Sequence, residues 1–242
     1  MERLNHVGDW GTQFGMLILH LRETFPDFTS SPPNITDLTG FYRAAKKRFD
    51  EDAAFKKQAQ LTVVELQGGD EDCAAVWRLL CDISRKEFDK VYTRLGVVTT
   101  ERGESFYNSR IQGTVEALQA VPGLVTESGG AVTVFLEDIA FGCAGLGAAS
   151  ASSGVRRQKV GYPLFLRKGD GGYGYDSTDM TAIRHRLEEM GVDWVVYVTD
   201  KRQAEHFYMC FEAGRRAGWL NDAKHRFEHV GFGMVCGEDG KP

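Results

Sequence analysis

The sequence predicts an α/β fold in which a parallel sheet with crossover helices is interrupted by a mostly helical insertion. Three observations lead there. From Tyr162 onward, short runs rich in β-branched and aromatic residues alternate with helical segments, the pattern that builds strand–helix–strand units. Across residues 37–95, three helical segments follow one another with no strand between them. A hydrophobic content of 42%, with 15 Phe, 8 Tyr and 4 Trp in 242 residues, supplies core enough for one large domain or two small ones.

Taken in order, residues 9–24 set Trp10, Phe14, Leu17, Ile18 and Leu21 on helical spacing behind Asp9, a residue type suited to an N-cap. The turn-rich stretch "FPDFTSSPPN" ends this first helix. Helices are then expected over residues 37–50, 53–67 and 71–95, the last carrying Val76, Leu79, Leu80, Ile83, Phe88, Val91 and Leu95. A short strand near Val97 and the loop "ERGESFYN" lead to a helix over residues 106–118. The string "GLVTESGGAVTVFL" reads as a hairpin turning at its Ser-Gly-Gly centre. The alternating half follows: strand "YPLFLRK", helix 178–190, strand "DWVVYVTD", helix 202–217 and strand "FEHVGFGMVCG". The Gly/Ala/Ser tract with a basic tail at residues 142–160 lacks periodicity and apolar anchors, so it is expected as a surface insertion outside the sheet or as non-native sequence. No internal repeat is present.

Composition narrows the function classes. With 29 basic and 34 acidic side chains the formal charge is −5, which excludes a globally basic nucleic-acid binder and argues against DNA as a partner. The best apolar candidate, residues 15–19, is cut by His20 and Arg22, far short of the roughly 20 residues a membrane span needs. Polar and charged residues crowd the first positions where a secretory signal would be apolar. The five cysteines, Cys73, Cys81, Cys143, Cys210 and Cys236, show no C-x-x-C or zinc spacing and suit reduced thiols in a cytoplasmic setting. "GFGMVCG" lies on a strand with no following helix to hold a pyrophosphate, so it is not a dinucleotide fingerprint, and no phosphate loop of the G-x-x-x-x-G-K-[ST] type occurs.

Five longer strings carry more. "LNHVGDWGTQFGMLI", "ERGESFYN", "DGGYGYDSTDMTAIRHR", "DWVVYVTDKRQAEHF" and "EHVGFGMVCGEDGKP", in this order and spacing, closely resemble the catalytic domain of arginyl-tRNA synthetases, a class I aminoacyl-tRNA synthetase family. The resemblance covers nearly the whole chain except the Gly/Ala/Ser tract. It implies a Rossmann-like nucleotide-binding fold of the HUP type. Residues 1–25 would end its first half, residues 26–160 would hold the helical insertion, a connecting segment and the hairpin, and residues 161–242 would form its second half. It also implies a two-step ligation. The arginine carboxylate attacks the α-phosphate of ATP to give arginyl-adenylate and pyrophosphate, and the terminal ribose hydroxyl of tRNA(Arg) then takes the arginyl group. ATP with Mg2+ would be the co-substrate, with no prosthetic group.

A guanidinium is planar, permanently charged and rich in donors, so its selector should offer carboxylates and polar oxygens, with an aromatic ring alongside. Tyr175 and Asp179, at i and i+4, share one face of a helix start and match the family's arginine-binding Tyr and Asp. Gln203 matches the family's arginine-contacting Gln, and Glu104 a further acidic contact. From the residues alone, Asp179 could instead cap its helix and Glu104 could sit on a solvated loop. The strand end "HVGFGMV" resembles the segment lying against adenine, with Gly231 and Gly233 allowing close approach and His229, Met234 and Val235 as further candidates. "GEDGKP" resembles the start of the family's K-M-S-K-S loop, which makes Lys241 a candidate phosphate-facing catalytic lysine. The family's H-x-G-H motif, the rest of that loop and the anticodon-binding domain have no counterpart here, so a catalytic-core fragment, inactive alone, is expected. The other reading is a stand-alone, non-catalytic module that binds arginine, nucleotide or RNA.

Overall fold

Aspartates open the helical block. In the computed structural model, which describes residues 1–28, 37–141, 156–169, 171–234 and 236–237, the chain divides into two compact units, Met1–Asn108 and Ser109–Pro242. In the first unit, Asp37 accepts a hydrogen bond from the Gly40 amide at 2.7 Å and opens α2 (Leu38–Glu51). Asp52 accepts from the amides of Ala54 and Phe55 at 2.9 and 3.0 Å and opens α3 (Ala53–Gln67). Asp70 accepts from the Cys73 amide at 2.7 Å and opens α4 (Glu71–Leu95), which ends at Gly96 in the left-handed conformation, φ 64°. Each carboxylate satisfies amides that the first helical turn leaves without partners.

The first helix, α1 (Thr12–Thr24), starts later than expected and is capped by Gly11. Asp9 is not its cap. Its buried carboxylate instead accepts from the Ser105 amide at 2.8 Å and the Ser105 hydroxyl at 2.6 Å, and so serves the first turn of α5 (Glu104–Gln119). The expected strand near Val97 lies slightly further on. Thr100–Glu101 (β2) pairs in parallel with Leu4–Asn5 (β1), whereas Val98 is exposed. Phe14, Ile18 and Leu21 of α1 pack with Phe55, Leu66, Val76 and Leu80 to form this unit's core.

In the second unit, β3 (Val125–Ser128) and β4 (Ala131–Val134) form the expected antiparallel hairpin. Its turn residues, Gly129 and Gly130, have φ of 58° and 80°, the conformation that a tight two-residue hairpin turn demands. β7 (Leu164–Arg167), read as part of the alternating half, pairs antiparallel with β4. The Gly/Ala/Ser expectation falls largely outside the described residues. Its basic tail does not stay outside a sheet, because Arg156–Lys159 forms β6, antiparallel to β5 (Asp138–Phe141). The parallel pair of this half is β8 (Trp194–Asp200) with β9 (Arg226–Phe232), in register from Trp194↔Arg226 to Asp200↔Phe232.

α6 (Tyr175–Glu188) packs on β7 and on α7 (Ala204–Arg216), and α7 packs on β9 and β5. Ile111, Leu118, Val132, Leu164, Ile183, Phe211 and Phe227 fill the core between them. Tyr197 and Phe227 point into that core from β8 and β9, whereas Val196, Val198, Val230 and Phe232 on the other side are exposed.

Candidate functional site

The N-terminus of α6 is built tightly. Gly174 is the N-cap, and the Ser177 hydroxyl accepts from the Gly174 amide at 3.0 Å and donates to the Gly174 carbonyl at 2.9 Å. Asp179 therefore lies in the second turn and caps nothing. Tyr175, Asp176 and Asp179 fall at i, i+1 and i+4, and the i, i+3 spacing of the two acids puts both carboxylates toward one neighbouring helix. That neighbour is α7, whose His206 meets both. Its Nε2 lies 2.7 Å from Asp179 Oδ2 and its Nδ1 lies 3.3 Å from Asp176 Oδ1.

An imidazole facing a carboxylate from each nitrogen can satisfy both only as the doubly protonated cation. Burial by itself would lower the His206 pKa. The two carboxylates outweigh it and hold the ring charged, well above its ordinary value. The Cys210 thiol, whose Sγ lies 3.7 Å from Nε2, is pushed up by burial and stays neutral, so it cannot be the counter-ion. Asp176 is anchored in turn, because its Oδ2 accepts from the Phe165 amide of β7 at 2.7 Å. The Tyr175 ring is 62% exposed and stands edge-on to His206 with centroids 4.9 Å apart. Asp176 and Asp179 are themselves buried.

A second cluster lies where β8 and β9 end. Thr199 Oγ1 and His229 Nε2 are 2.7 Å apart, and the His229 ring stacks on Phe207 at 5.4 Å and 18°. Burial lowers the His229 pKa and favours a neutral ring. After β8, Asp200 accepts from the Arg202 amide at 2.8 Å and shapes the 3-10 turn Lys201–Gln203 that leads into α7. Gly231 packs against that turn. A Cβ there would fall 2.8 Å from Lys201 Cα and 2.9 Å from Lys201 Cβ.

Comparison with known proteins bears on what this arrangement is. A family model, "tRNA synthetases class I (R), catalytic domain", matches residues 1–242. The chain belongs to this family. It is similar to the "Probable arginine--tRNA ligase, cytoplasmic" of Drosophila melanogaster, at 47% identity over 239 residues covering 99% of this chain and 33% of the relative. It is also similar to the "Arginine--tRNA ligase, chloroplastic/mitochondrial" of Arabidopsis thaliana, at 50% identity over 243 residues covering 99% and 34%. Among solved structures, arginyl-tRNA synthetase from Plasmodium falciparum superposes with a TM-score of 0.74 at 36% identity, covering 96% of this chain and 36% of that one. The chain thus spans roughly a third of the length of these relatives.

Within this arginyl-tRNA synthetase domain, the structure brings Tyr175 and Asp179 together on His206, one turn along α7 from Gln203. Gln203 itself is exposed. His229 and Gly231 are joined to the same region through Thr199 and Lys201. Gly233 has open space where a Cβ would point, and Met234 is exposed. Val235 and Lys241 lie outside the described residues. Glu104 belongs to the first unit, where it is the half-buried first residue of α5 and its amide donates to the Val7 carbonyl at 3.0 Å, so it is not on a solvated loop.

Sequence reasoning passed over Asp176, Thr199 and His206. The signal for two of them was present. Two acids three residues apart on a helix start call for a cation, and His206 follows Gln203 by one turn within a string already singled out.

Proposed function

We propose that this chain provides the arginine-selecting and adenylate-forming surface of an arginine–tRNA ligase. L-Arginine and ATP would react to give arginyl-adenylate and pyrophosphate, and the arginyl group would pass to tRNA(Arg). The observation that carries this reading is the acidic cluster at the head of α6, where Asp176 and Asp179 share one imidazolium beside the exposed Tyr175 ring. Two carboxylates beside one imidazolium give this helix end the acidic character that a guanidinium requires. Asp179 would accept guanidinium donors, Tyr175 would lie against the guanidinium plane, and Gln203 and Glu104 would add polar contacts to arginine.

ATP would lie along the β9 end, with adenine against His229, Gly231, Gly233, Met234 and Val235, and Lys241 directed to the phosphates. Open space at Gly233 is compatible with close approach of a planar ring. Among the described residues no group of three or more His, Cys, Asp or Glu side chains is placed to hold a metal. Mg2+ would arrive with the ATP phosphates, its usual mode of binding. In this reading residues 1–25 and 161–242 belong to the two halves of the nucleotide fold, and residues 26–160 to the insertion and connecting segments. A cytoplasmic setting fits the free thiols of Cys73, Cys81, Cys210 and Cys236, and the relatives' names include cytoplasmic and organellar forms.

Calorimetric titration with L-arginine, L-lysine and L-citrulline tests the reading. Arginine is expected to bind, and neither lysine nor the uncharged citrulline to compete. Asp179→Asn should cost about 2–5 kcal/mol of arginine binding, the range for removing one partner of a buried charged pair. Absence of arginine binding, or equal binding of citrulline, refutes it. Arginine binding without arginine-dependent ATP–pyrophosphate exchange identifies the non-catalytic module instead.

A further inference from the structure

Resting on the arginine reading above, we infer that His206 is a positioning residue for the substrate cation: clamped between Asp176 and Asp179, it fixes the Asp179 carboxylate toward the guanidinium. Two carboxylates three residues apart on a helix have Cβ atoms about 5–6 Å from each other. With no cation between them, one tends to take up a proton or turn away. His206 supplies that cation from a different helix, at 2.7 Å from Asp179 Oδ2 and 3.3 Å from Asp176 Oδ1.

The clamp is tied to the sheet. Phe165 of β7 donates its amide to Asp176 at 2.7 Å, so a continuous set of contacts runs from a strand backbone through Asp176 and His206 to Asp179. The same imidazole meets the Tyr175 ring edge-on, which places one rigid group behind both arginine-facing side chains. A carboxylate offers about four acceptor sites, so it can serve more than one donor at once.

Among the described residues, His206 meets Asp176, Asp179, Tyr175, Phe207 and Cys210, with Tyr162 close enough to feel its charge. Burial raises the Tyr175 phenol and the Cys210 thiol, so both stay neutral, and the salt-bridge partners of His206 are the two aspartates. If His206 did no more than place a positive charge beside the pocket, removing it would tighten binding of a second cation. If it positions Asp179, removing it weakens binding. The two roles have opposite signs.

The experiment is calorimetric titration of the full chain with L-arginine, alongside His206→Ala and His206→Gln. His206→Ala is expected to raise Kd about 10–100-fold with the number of sites per folded chain unchanged. His206→Gln keeps one donor toward a carboxylate and is expected to recover part of that loss. Unchanged or tighter arginine binding by His206→Ala overturns the inference. So does a loss of competent sites at constant Kd, which is the mark of a purely structural residue. If His206→Ala does not fold, Asp176→Asn carries the test, since its amide oxygen can still accept from Phe165. It should raise Kd about 2–10-fold, and an unchanged Kd overturns the inference. Failure of the unaltered chain to bind arginine removes the arginine reading and this inference together, whereas binding that ignores His206 and Asp176 removes the inference alone.

Discussion

Substituting alanine for glycine at two helical positions should have opposite effects, because one glycine is a packing contact and the other is not. Gly15 lies where α1 crosses α3, and a Cβ there would sit 2.1 Å from the Ala59 carbonyl oxygen, 2.9 Å from Val63 N and 3.0 Å from Val63 Cβ. Backbone cannot swing aside as the end of a side chain can, so the helices must separate. A radial gap of about 0.5–1 Å forfeits a quarter to a half of each dispersion contact across it. Those contacts involve the best-buried residues of the first unit, among them Ile18 and Ala59. Overpacking costs about 1–3 kcal/mol, and the better helix propensity of alanine returns about 1 kcal/mol. With the lost packing included, Gly15→Ala should destabilise the first unit by about 2 kcal/mol. Gly113, on α5, is exposed and would place a Cβ with nothing within 4 Å, so Gly113→Ala should stabilise by about 0.5–1 kcal/mol. Urea unfolding followed by hydrogen-exchange mass spectrometry separates α1 and α3 from α5. A Gly15→Ala chain whose α1 and α3 amides are protected as well as the parent's would refute the close-contact argument.

Two further outcomes follow from the geometry. Burial, then the neighbouring Arg48, lowers the pKa of His20 from its ordinary 6.5, so its charging opposes the fold. Above about pH 6.5 the ring is neutral in both states, and below it the unfolded chain takes up the proton first; the first unit should therefore lose stability as pH falls from about 6.5 through the folded-state pKa. His20→Gln should flatten that slope in urea midpoints measured from pH 8 to 5, and a slope unchanged by the substitution counts against the assignment. Gly231→Ala would push the Lys201–Gln203 turn, 2.8 Å from the added Cβ. If the proposed arginine site is right, it should raise the arginine Kd on the order of 10-fold with helix content by circular dichroism intact, and an unchanged Kd would separate β9 from the turn proposed to contact arginine.

The helices were legible because their ends carry local chemistry. Residues 53–67 and 71–95 match α3 and α4 at both ends, since Asp52, Asp70 and Gly96 act on amides and dihedrals within a few residues of themselves. Asp9 shows where such reading stops. It looks like a cap for the helix that follows it, yet its carboxylate is spent on Ser105, ninety-six residues away, and nothing local distinguishes the two uses. Strand partners are non-local for the same reason. "YPLFLRK" and "DWVVYVTD" are both apolar runs, but one joins the β4 hairpin antiparallel and the other pairs in parallel with β9. The continuous apolarity of β8 is the pattern of a strand covered on both faces, and only the Tyr197 side is covered among the described residues.

At the site, residue type and helical spacing were enough to place Tyr175 and Asp179 on one face, because a helix fixes i, i+4 neighbours without help from the rest of the fold. What the spacing could not supply was the group standing behind them. Asp176 reads as an ordinary acid in a first helical turn, favoured there by the helix dipole, and that local role hides its second contact. His206 reads as one more histidine until α7 is laid against α6, and only then do two acids and an imidazole become one charged unit. The glycine at 231 reverses the lesson. The resemblance gave it a ligand-facing role, while the structure gives it a neighbour within the chain, Lys201, close enough that any side chain would collide. A residue can serve both ends. If Gly231 admits a purine on one side and the Lys201–Gln203 turn on the other, the nucleotide and amino-acid positions share a wall, and substitution of that wall should disturb both affinities in the same chain.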